Sequence, residues 1–216
     1  MQDVLGASPA IQALRANIGR LLGRVRGSSR LPPVLIQGET GTGKGLVASV
    51  LHRTGPRSGG PFVAVNCAAI PEGLLEAELF GFERGAFTDA KVAKPGLFQA
   101  ANRGVLFLDE VGLLPAALQA KLLNVIEEGT VRRLGSTRNE RVDVWIISAS
   151  NVDLRAAIVE HRFREDLYQR LSGLTLTLPP LRERGDDVIM LAEHYLTLAS
   201  ADFSLPPRTL TTEARV

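Results

Sequence analysis

A single cysteine, Cys67, rules out an internal disulfide and suits a reducing cytoplasm, the compartment we expect for this chain. We read Cys67 itself as a small buried residue. Three histidines, His52, His161 and His194, lack the close spacing that metal ligands need. No apolar run approaches the roughly 18 residues that span a bilayer, and Met1-Gln2-Asp3 lacks the basic, then apolar, pattern of a signal peptide. Excess charge is small as well. A net +2 over 216 residues gives no argument for nucleic acid. Repeats and low-complexity tracts are missing. What is present is 45% hydrophobic and 22% charged, ordinary for one globular core with a small appendage.

The most informative run is Gly38-Glu39-Thr40-Gly41-Thr42-Gly43-Lys44, between the apolar stretch Val34-Leu35-Ile36 and a helical segment from Leu46 to His52. Strand, glycine loop and helix N-terminus together make a phosphate cradle. Glycines let backbone N–H groups converge on the anion, the helix end adds its positive dipole, and Lys44 reaches the outer phosphates of a nucleotide. Gly45 follows the lysine where a Ser or Thr usually offers a hydroxyl to Mg²⁺. It has no ligand to give and costs about 1 kcal/mol relative to Ala inside a helix, so phosphates, water and another side chain must hold the metal.

Gly104-Val105-Leu106-Phe107-Leu108-Asp109-Glu110, about 65 residues further on, supplies that side chain. A continuous apolar run fits a buried parallel strand, and ligands sit at the carboxyl ends of such strands. Asp109 is then placed to hold Mg²⁺ and Glu110 to polarise a water for attack on the γ-phosphate. In isolation, two adjacent acids also fit a simple cap on the next helix.

Elsewhere the pattern alternates. Apolar positions Ile11, Leu14, Ile18, Leu21 and Leu22 predict a helix over residues 9–25, and Gly27-Ser28-Ser29-Arg30 a loop after it. A second strand is expected at Phe62–Val65, a short helix at Leu74–Phe80, a glycine-containing loop from Gly81 to Ala90, and a helix from Gly96 to Ala101. An amphipathic helix spans Leu118–Ile126 and ends at Gly129. A β-like pair is expected between Val131–Leu134 and Val142–Trp145, with buried strands at Ile146–Ser148 and Leu174–Leu178. Pro179-Pro180 followed by Leu181-Arg182-Glu183-Arg184 reads as a hinge, and Asp187 to Ala199 as a helix. Alternating strands and helices indicate an α/β fold with a doubly wound sheet.

From Leu5 to Ala199 the chain resembles the central ATPase domain of the sigma-54-dependent transcription activators, bacterial enhancer-binding proteins of the AAA+ superfamily. The resemblance rests on GETGTGK, FVAVNCAAI, ELFGFERGAFTDA, GVLFLDE, FREDLYQRL and LPPLRER, in that order. It implies an α/β P-loop subdomain over residues 1–180 and the start of a small helical lid over 181–216. It further implies ATP and Mg²⁺ as ligands, a homo-oligomeric ring, usually a hexamer, and sigma-54 RNA polymerase holoenzyme as partner. Asn66 matches the asparagine that pairs with the catalytic glutamate; alone, it reads better as a strand-end turn. Asn151 matches a sensor near the γ-phosphate. Arg164 and Arg170 match arginines that reach the neighbouring subunit's nucleotide, although in an Arg/Glu/Asp-rich helix a solvated face is the commoner role.

Three departures stand out. The loop Gly85-Ala86-Phe87-Thr88-Asp89-Ala90 matches the family's partner-binding loop, with Asp89 in place of its second glycine. Asp accepts left-handed backbone better than most residues, but it brings a carboxylate to the surface that meets the partner. Without the family, Phe87 also fits a residue tucked into the core. Phe82 stands where a histidine is usual. The lid's second sensor arginine, in a GNVREL-like stretch, is not reached before Val216, and neither is a DNA-binding helix-turn-helix. The leading expectation is an ATPase that remodels sigma-54 polymerase. Two others remain at this point: an ATP-dependent binding module with little turnover, and an AAA+ ATPase acting on another client.

Overall fold

The computed structural model describes residues 4–28, 31–206 and 208–215; Ser29 and Arg30 of the expected loop lie outside them. Helix α1 spans Pro9–Val25, then β1 Val34–Gln37, α2 Lys44–Thr54, β2 Phe62–Asn66 and α3 Glu72–Phe80. The short strands β3 Gly81–Phe82 and β4 Lys94–Pro95 precede α4 Leu97–Ala100 and β5 Val105–Asp109. Next come α5 Ala116–Glu128, β6 Thr130–Arg132, β7 Asn139–Arg141, β8 Trp145–Ser150, α6 Leu154–Val159 and α7 Glu165–Leu171. The chain closes with β9 Leu174–Thr177 and α8 Asp187–Asp202.

Five strands form one parallel sheet in the order β2-β5-β8-β1-β9. Side chains alternate across it, as strand geometry requires. Leu35, Leu106, Leu108 and Ile146 point to a core shared with α3, α4, α5 and α7, through Leu75, Phe98, Leu118 and Leu167. Their neighbours Val34, Ile36, Val105, Phe107, Trp145 and Ile147 point the other way, to Ile11, Leu14 and Ile18 of α1 and Val47 and Leu51 of α2. Both faces are therefore covered, which explains the unbroken apolar runs. Trp145 is fully buried, and its indole N–H donates to Pro32 O at 2.9 Å.

Local chemistry sets the boundaries. Ser8 caps α1, with Pro9 at the first helical position, and Gly129 ends α5 in the left-handed region at φ 65°. Three expectations need correction. Thr130–Arg132 pairs with Asn139–Arg141, not with Val142–Trp145. Val142 instead donates its N–H to Gly129 O, Val142 and Val144 pack on the core, and Trp145 opens the central strand β8. The Gly81–Ala90 loop begins with strand β3, paired to Lys94-Pro95. Residues 181–183 form a 3₁₀ turn, and Arg182 within it and Arg184 just after it bond the glycine loop, so the segment is not a free hinge.

Two contacts invite measurement. A Cβ on Gly104 would lie 2.1 Å from Pro61 O, the acceptor for Val105 N–H at the start of the β2–β5 pairing. Gly104→Ala therefore forces backbone apart and should cost about 1–3 kcal/mol, read as a lower urea midpoint. Asp187, at the start of α8, accepts from Ala7 N (2.5 Å), Ser8 N (3.0 Å) and Ser8 Oγ (2.6 Å). Burial pushes its carboxyl up, but the bonds from Ser8 and Ala7 and the charge of Arg184 together outweigh it and leave the group below the ordinary aspartate value of 3.8. A depressed carboxylate stabilises the fold above its unfolded pKa and loses that contribution as pH falls through the folded value. Asp187→Ala should cost about 1–2 kcal/mol near neutrality, and the gap from the unsubstituted chain should narrow only below about pH 3.8, in urea titrations across pH.

Candidate nucleotide site

The sheet brings the carboxyl ends of β1, β5 and β8 side by side, and the sequence-predicted residues follow those ends. Between β1 and α2, Gly41 (φ 83°) and Gly43 (φ 97°) occupy left-handed backbone with open space where a side chain would be. The loop is closed internally by Thr42 N and Oγ1, both donating to Glu39 O. Gly38 N donates to Ser150 O, which locks the loop onto β8. Lys44 is the first residue of α2 and is 7% exposed. Its ammonium donates to Gly38 O (2.9 Å) and Glu39 O (3.2 Å) and lies 3.6 Å from Glu110 Oε1. At Gly45 a Cβ would meet only Phe107, at 3.8 Å, so packing does not demand glycine there.

Strand β5 ends at Asp109, and Glu110 leaves it in the left-handed region at φ 54°. For a non-glycine residue that conformation is uncommon and costs on the order of 1–3 kcal/mol, a kind of strain that clusters at functional sites. The two acids are thus not one strand end, as the sequence suggested, but a strand end and a backbone turn. The turn aims Glu110 at Lys44 and lets its Oε2 accept from Asn151 N at 3.2 Å. Asn151 in turn donates through Nδ2 to Thr40 Oγ1 at 3.0 Å. Lys44, Glu110, Asn151 and Thr40 therefore form one connected set around the loop.

Beside the loop lies a cavity of about 620 Å³, bordered by residues Glu39–Gly43, Leu46 and Val47 on one side and Leu181, Arg182, Val188, Leu191 and Tyr195 on the other. Its size suits a nucleotide-class ligand. The donor set fits as well: open left-handed glycines and the N-terminus of α2 border the cavity and favour phosphate, while the Lys44 ammonium, like Asp109, Glu110 and Asn151, stands outside its lining. No group of three or more His, Cys, Asp or Glu comes together among the described residues. A divalent ion here would thus draw on Asp109 and on phosphate oxygens, the pattern Mg²⁺ favours. Cys67 is buried behind the acids, its N–H on Asp109 O. Burial first, then the charges of Asp109 and Glu110, push its thiol up to about 12, so it stays protonated and is a packing residue.

Other candidates stand apart. Asn66 lies opposite Asp109 in the β2–β5 register, but its Oδ1 accepts from Ala68 N at 2.8 Å, the strand-end turn, while Glu110 is engaged by Lys44 and Asn151. Arg164 and Arg170 do not border the cavity. Arg164 makes two bonds to Asp166 (3.0 and 2.6 Å), and Arg170 binds Glu127 (2.8 Å). Gln119, which no motif flags, fixes the entry to α7 by accepting from Arg164 N and donating to Leu114 O and Arg162 O.

The loop from Gly85 to Ala90 is folded on itself. Gly85 N donates to Ala90 O, and Ala90 N to Phe87 O. Phe87 is 41% exposed, its ring 4.9 Å from that of Phe82 and tilted 59°, so it is neither a core residue nor a free tip. Among the described residues the left-handed non-glycines are Arg103, Glu110, His161 and Ser204, so this shape asks nothing left-handed of Asp89. The turn after β6 supports the loop from behind: Glu83 N donates to Leu134 O, and Arg133 pairs with Glu83 and Glu140.

The family model described as the sigma-54 interaction domain matches residues 4–177. Response regulator protein PilR of Pseudomonas aeruginosa is 49% identical over 212 residues, 98% of this chain and 46% of PilR. The DNA-binding transcriptional regulator NtrC of Klebsiella pneumoniae is 44% identical over 214 residues, 99% of this chain and 44% of NtrC. The chain thus spans a little under half the length of these relatives. The crystal structure of NtrX from Brucella abortus in complex with ATP superposes with TM-score 0.87 at 36% identity, covering 98% of this chain and 44% of NtrX. Hsp104, at TM-score 0.62 and 17% identity, shares the fold. With its P-loop sheet, its motif order and these relatives, the chain belongs to the sigma-54 interaction domain family of sigma-54-dependent transcription activators and has the AAA+ fold.

Proposed function

We propose that this chain is the ATP-hydrolysing unit of a cytoplasmic sigma-54 activator, working in a ring, with hexamer the expected size, and coupling hydrolysis to remodelling of the sigma-54 RNA polymerase–promoter complex. The observation that carries the reading is the connected set Lys44, Glu110, Asn151 and Thr40 around an open glycine loop, in a chain of this family. The NtrX relative solved with ATP supports the same ligand class. On this reading residues 1–180 bind the nucleotide and 181–216 begin the lid.

The chemistry follows from the residues. Lys44 now satisfies its charge on two loop carbonyls and on Glu110. Outer phosphates would compete for that charge and release the Glu110 carboxylate to orient and polarise water. Asn151 bridges Glu110 to Thr40, which supports its reading as a sensor of the γ-phosphate. Asn66 supports the reading more weakly, since reaching Glu110 requires it to release the Ala68 turn. Mg²⁺, held through Asp109, would supply neutralisation of phosphate charge.

Arg164 and Arg170 are exposed, outside the lining of their own cavity and held by Asp166 and Glu127, which supports a role on a neighbour's nucleotide. The Gly85–Ala90 loop, braced from behind and exposed at Phe87, is the surface offered to sigma-54.

Two measurements test this. Mg²⁺-dependent turnover per subunit should rise with protein concentration and fall by about 10³–10⁵ in Arg164→Ala, the range of other arginine fingers. Turnover independent of concentration would exclude the ring, and ATP binding without turnover at any concentration would leave a binding module. Asp89→Gly should shift sigma-54 affinity by about two- to fivefold at low salt, the range of one exposed charge, and less at high salt. Equal affinities at both salts would remove Asp89 from the interface.

A further inference from the structure

The segment after β9 combines two features. Arg184 is 7% exposed, and among the described residues its guanidinium bonds backbone carbonyls: Nε donates to Pro179 O at 2.9 Å and Nη2 to Thr42 O at 2.7 Å. Burying a guanidinium is costly unless its donors are satisfied, so this placement holds only while the carbonyl of Thr42 is turned toward it. Thr42 lies in the glycine loop, and a carbonyl committed to Arg184 is not free to face an anion in the cavity. Burial pulls the guanidinium's pKa down, opposed by the nearby Asp187 charge.

Two residues earlier, Arg182 makes a two-pronged bond to the Glu39 carboxylate, Nη1 to Oε2 at 2.7 Å and Nη2 to Oε1 at 2.6 Å. Paired bonds of this kind fix orientation as well as charge. The Arg182 hydrogen bond holds the Glu39 carboxyl below its usual range, so Glu39 stands ionised beside the cavity with a cation on it. Without that cation its charge would oppose incoming phosphates. Asp187 then ties the start of α8 to Ala7 and Ser8 at the start of α1. The two walls of the 620 Å³ cavity, loop and lid base, are joined by these bonds.

We infer that Arg182 and Arg184, both on the lid-base wall of the cavity, are positioning residues for the nucleotide, clasping the glycine loop so that loop and α8 move as one body. This inference rests on the ATP reading above. Neither arginine acts on the reacting atoms. They set the loop's carbonyl orientation and cancel Glu39, and they carry any shift of the loop to the lid.

The exposed pair gives the test, since its reversal leaves the core untouched. Binding of N-methylanthraniloyl-ADP would be titrated by fluorescence on the full chain, with a urea midpoint for every variant. Arg182→Glu and Glu39→Arg should each weaken binding about five- to tenfold, reflecting a lost pair plus a new like-charge contact. The double reversal should return affinity to within about twofold, with urea midpoints unchanged throughout. Arg184→Lys, which keeps the charge but cannot span both carbonyls, should weaken binding by a similar factor. Singles that bind as tightly as the unsubstituted chain would overturn the inference. So would a double reversal as weak as the singles, which would mean that Arg182 touches the nucleotide itself. Failure of the unsubstituted chain to bind would instead overturn the nucleotide reading and take this inference with it.

Discussion

Parallel register is the constraint from which the rest of the molecule follows. Because β5 and β8 pair in the same direction, and β8 and β1 likewise, their carboxyl ends reach one edge of the sheet together. The glycine loop, the acid pair and Asn151 therefore converge, although Thr40 and Asn151 are 111 residues apart in sequence. Parallel strands need crossovers, and the helices that make them cover both faces. Burial of the sheet and assembly of the site are thus consequences of a single arrangement. A slip of one residue along β5 would turn Leu106 and Leu108 to the opposite core and carry Glu110 away from Lys44.

At that edge the acid, the amide and the loop are arranged around the buried ammonium of Lys44. Lys44 is nearly inaccessible, and a buried ammonium is tolerated only with hydrogen bonds and a counter-charge. Two carbonyls and Glu110 supply them. The left-handed backbone at Glu110 is the cost of bringing a carboxylate there from a strand that points its side chains into two cores. On the proposed reading, a phosphate that took over Lys44 would change the partner of Glu110 in the same event and so link ligand binding to the readiness of the carboxylate.

Much of this was legible in the residues, and the exceptions share a cause. Helix α1 begins and ends where Ser8-Pro9 and the apolar period place it, and the glycine loop and apolar β5 run are where their patterns put them. These are signals carried by neighbours in sequence. The β6–β7 hairpin was misplaced because Val142 and Val144 look like a strand; they are a connector drawn onto the core, while the paired residues Asn139–Arg141 are polar. Glu110 shows nothing of its left-handed backbone in its identity. Arg182 and Glu39 are separated by 143 residues, and the LPPLRER run read as a hinge because proline and charge there say nothing about what they touch. Gln119 was invisible for the same reason: its three bonds go to backbone groups.

Arginines divide the site's labour by where they stand. Arg184 is buried and bonds the Thr42 carbonyl of its own glycine loop, and Arg182 pairs with the loop's Glu39 at the surface. Arg164 and Arg170 face outward, held by Asp166 and Glu127 in solvent-exposed pairs whose net worth is small. An exposed pair of that kind is readily exchanged for a more strongly anionic partner, whereas the buried Arg184 has no alternative that keeps its donors satisfied. In a ring, the Arg164 and Arg170 pairs would therefore exchange partners readily, and the exposed Arg182–Glu39 pair could do the same, while the buried Arg184 would stay on its two carbonyls.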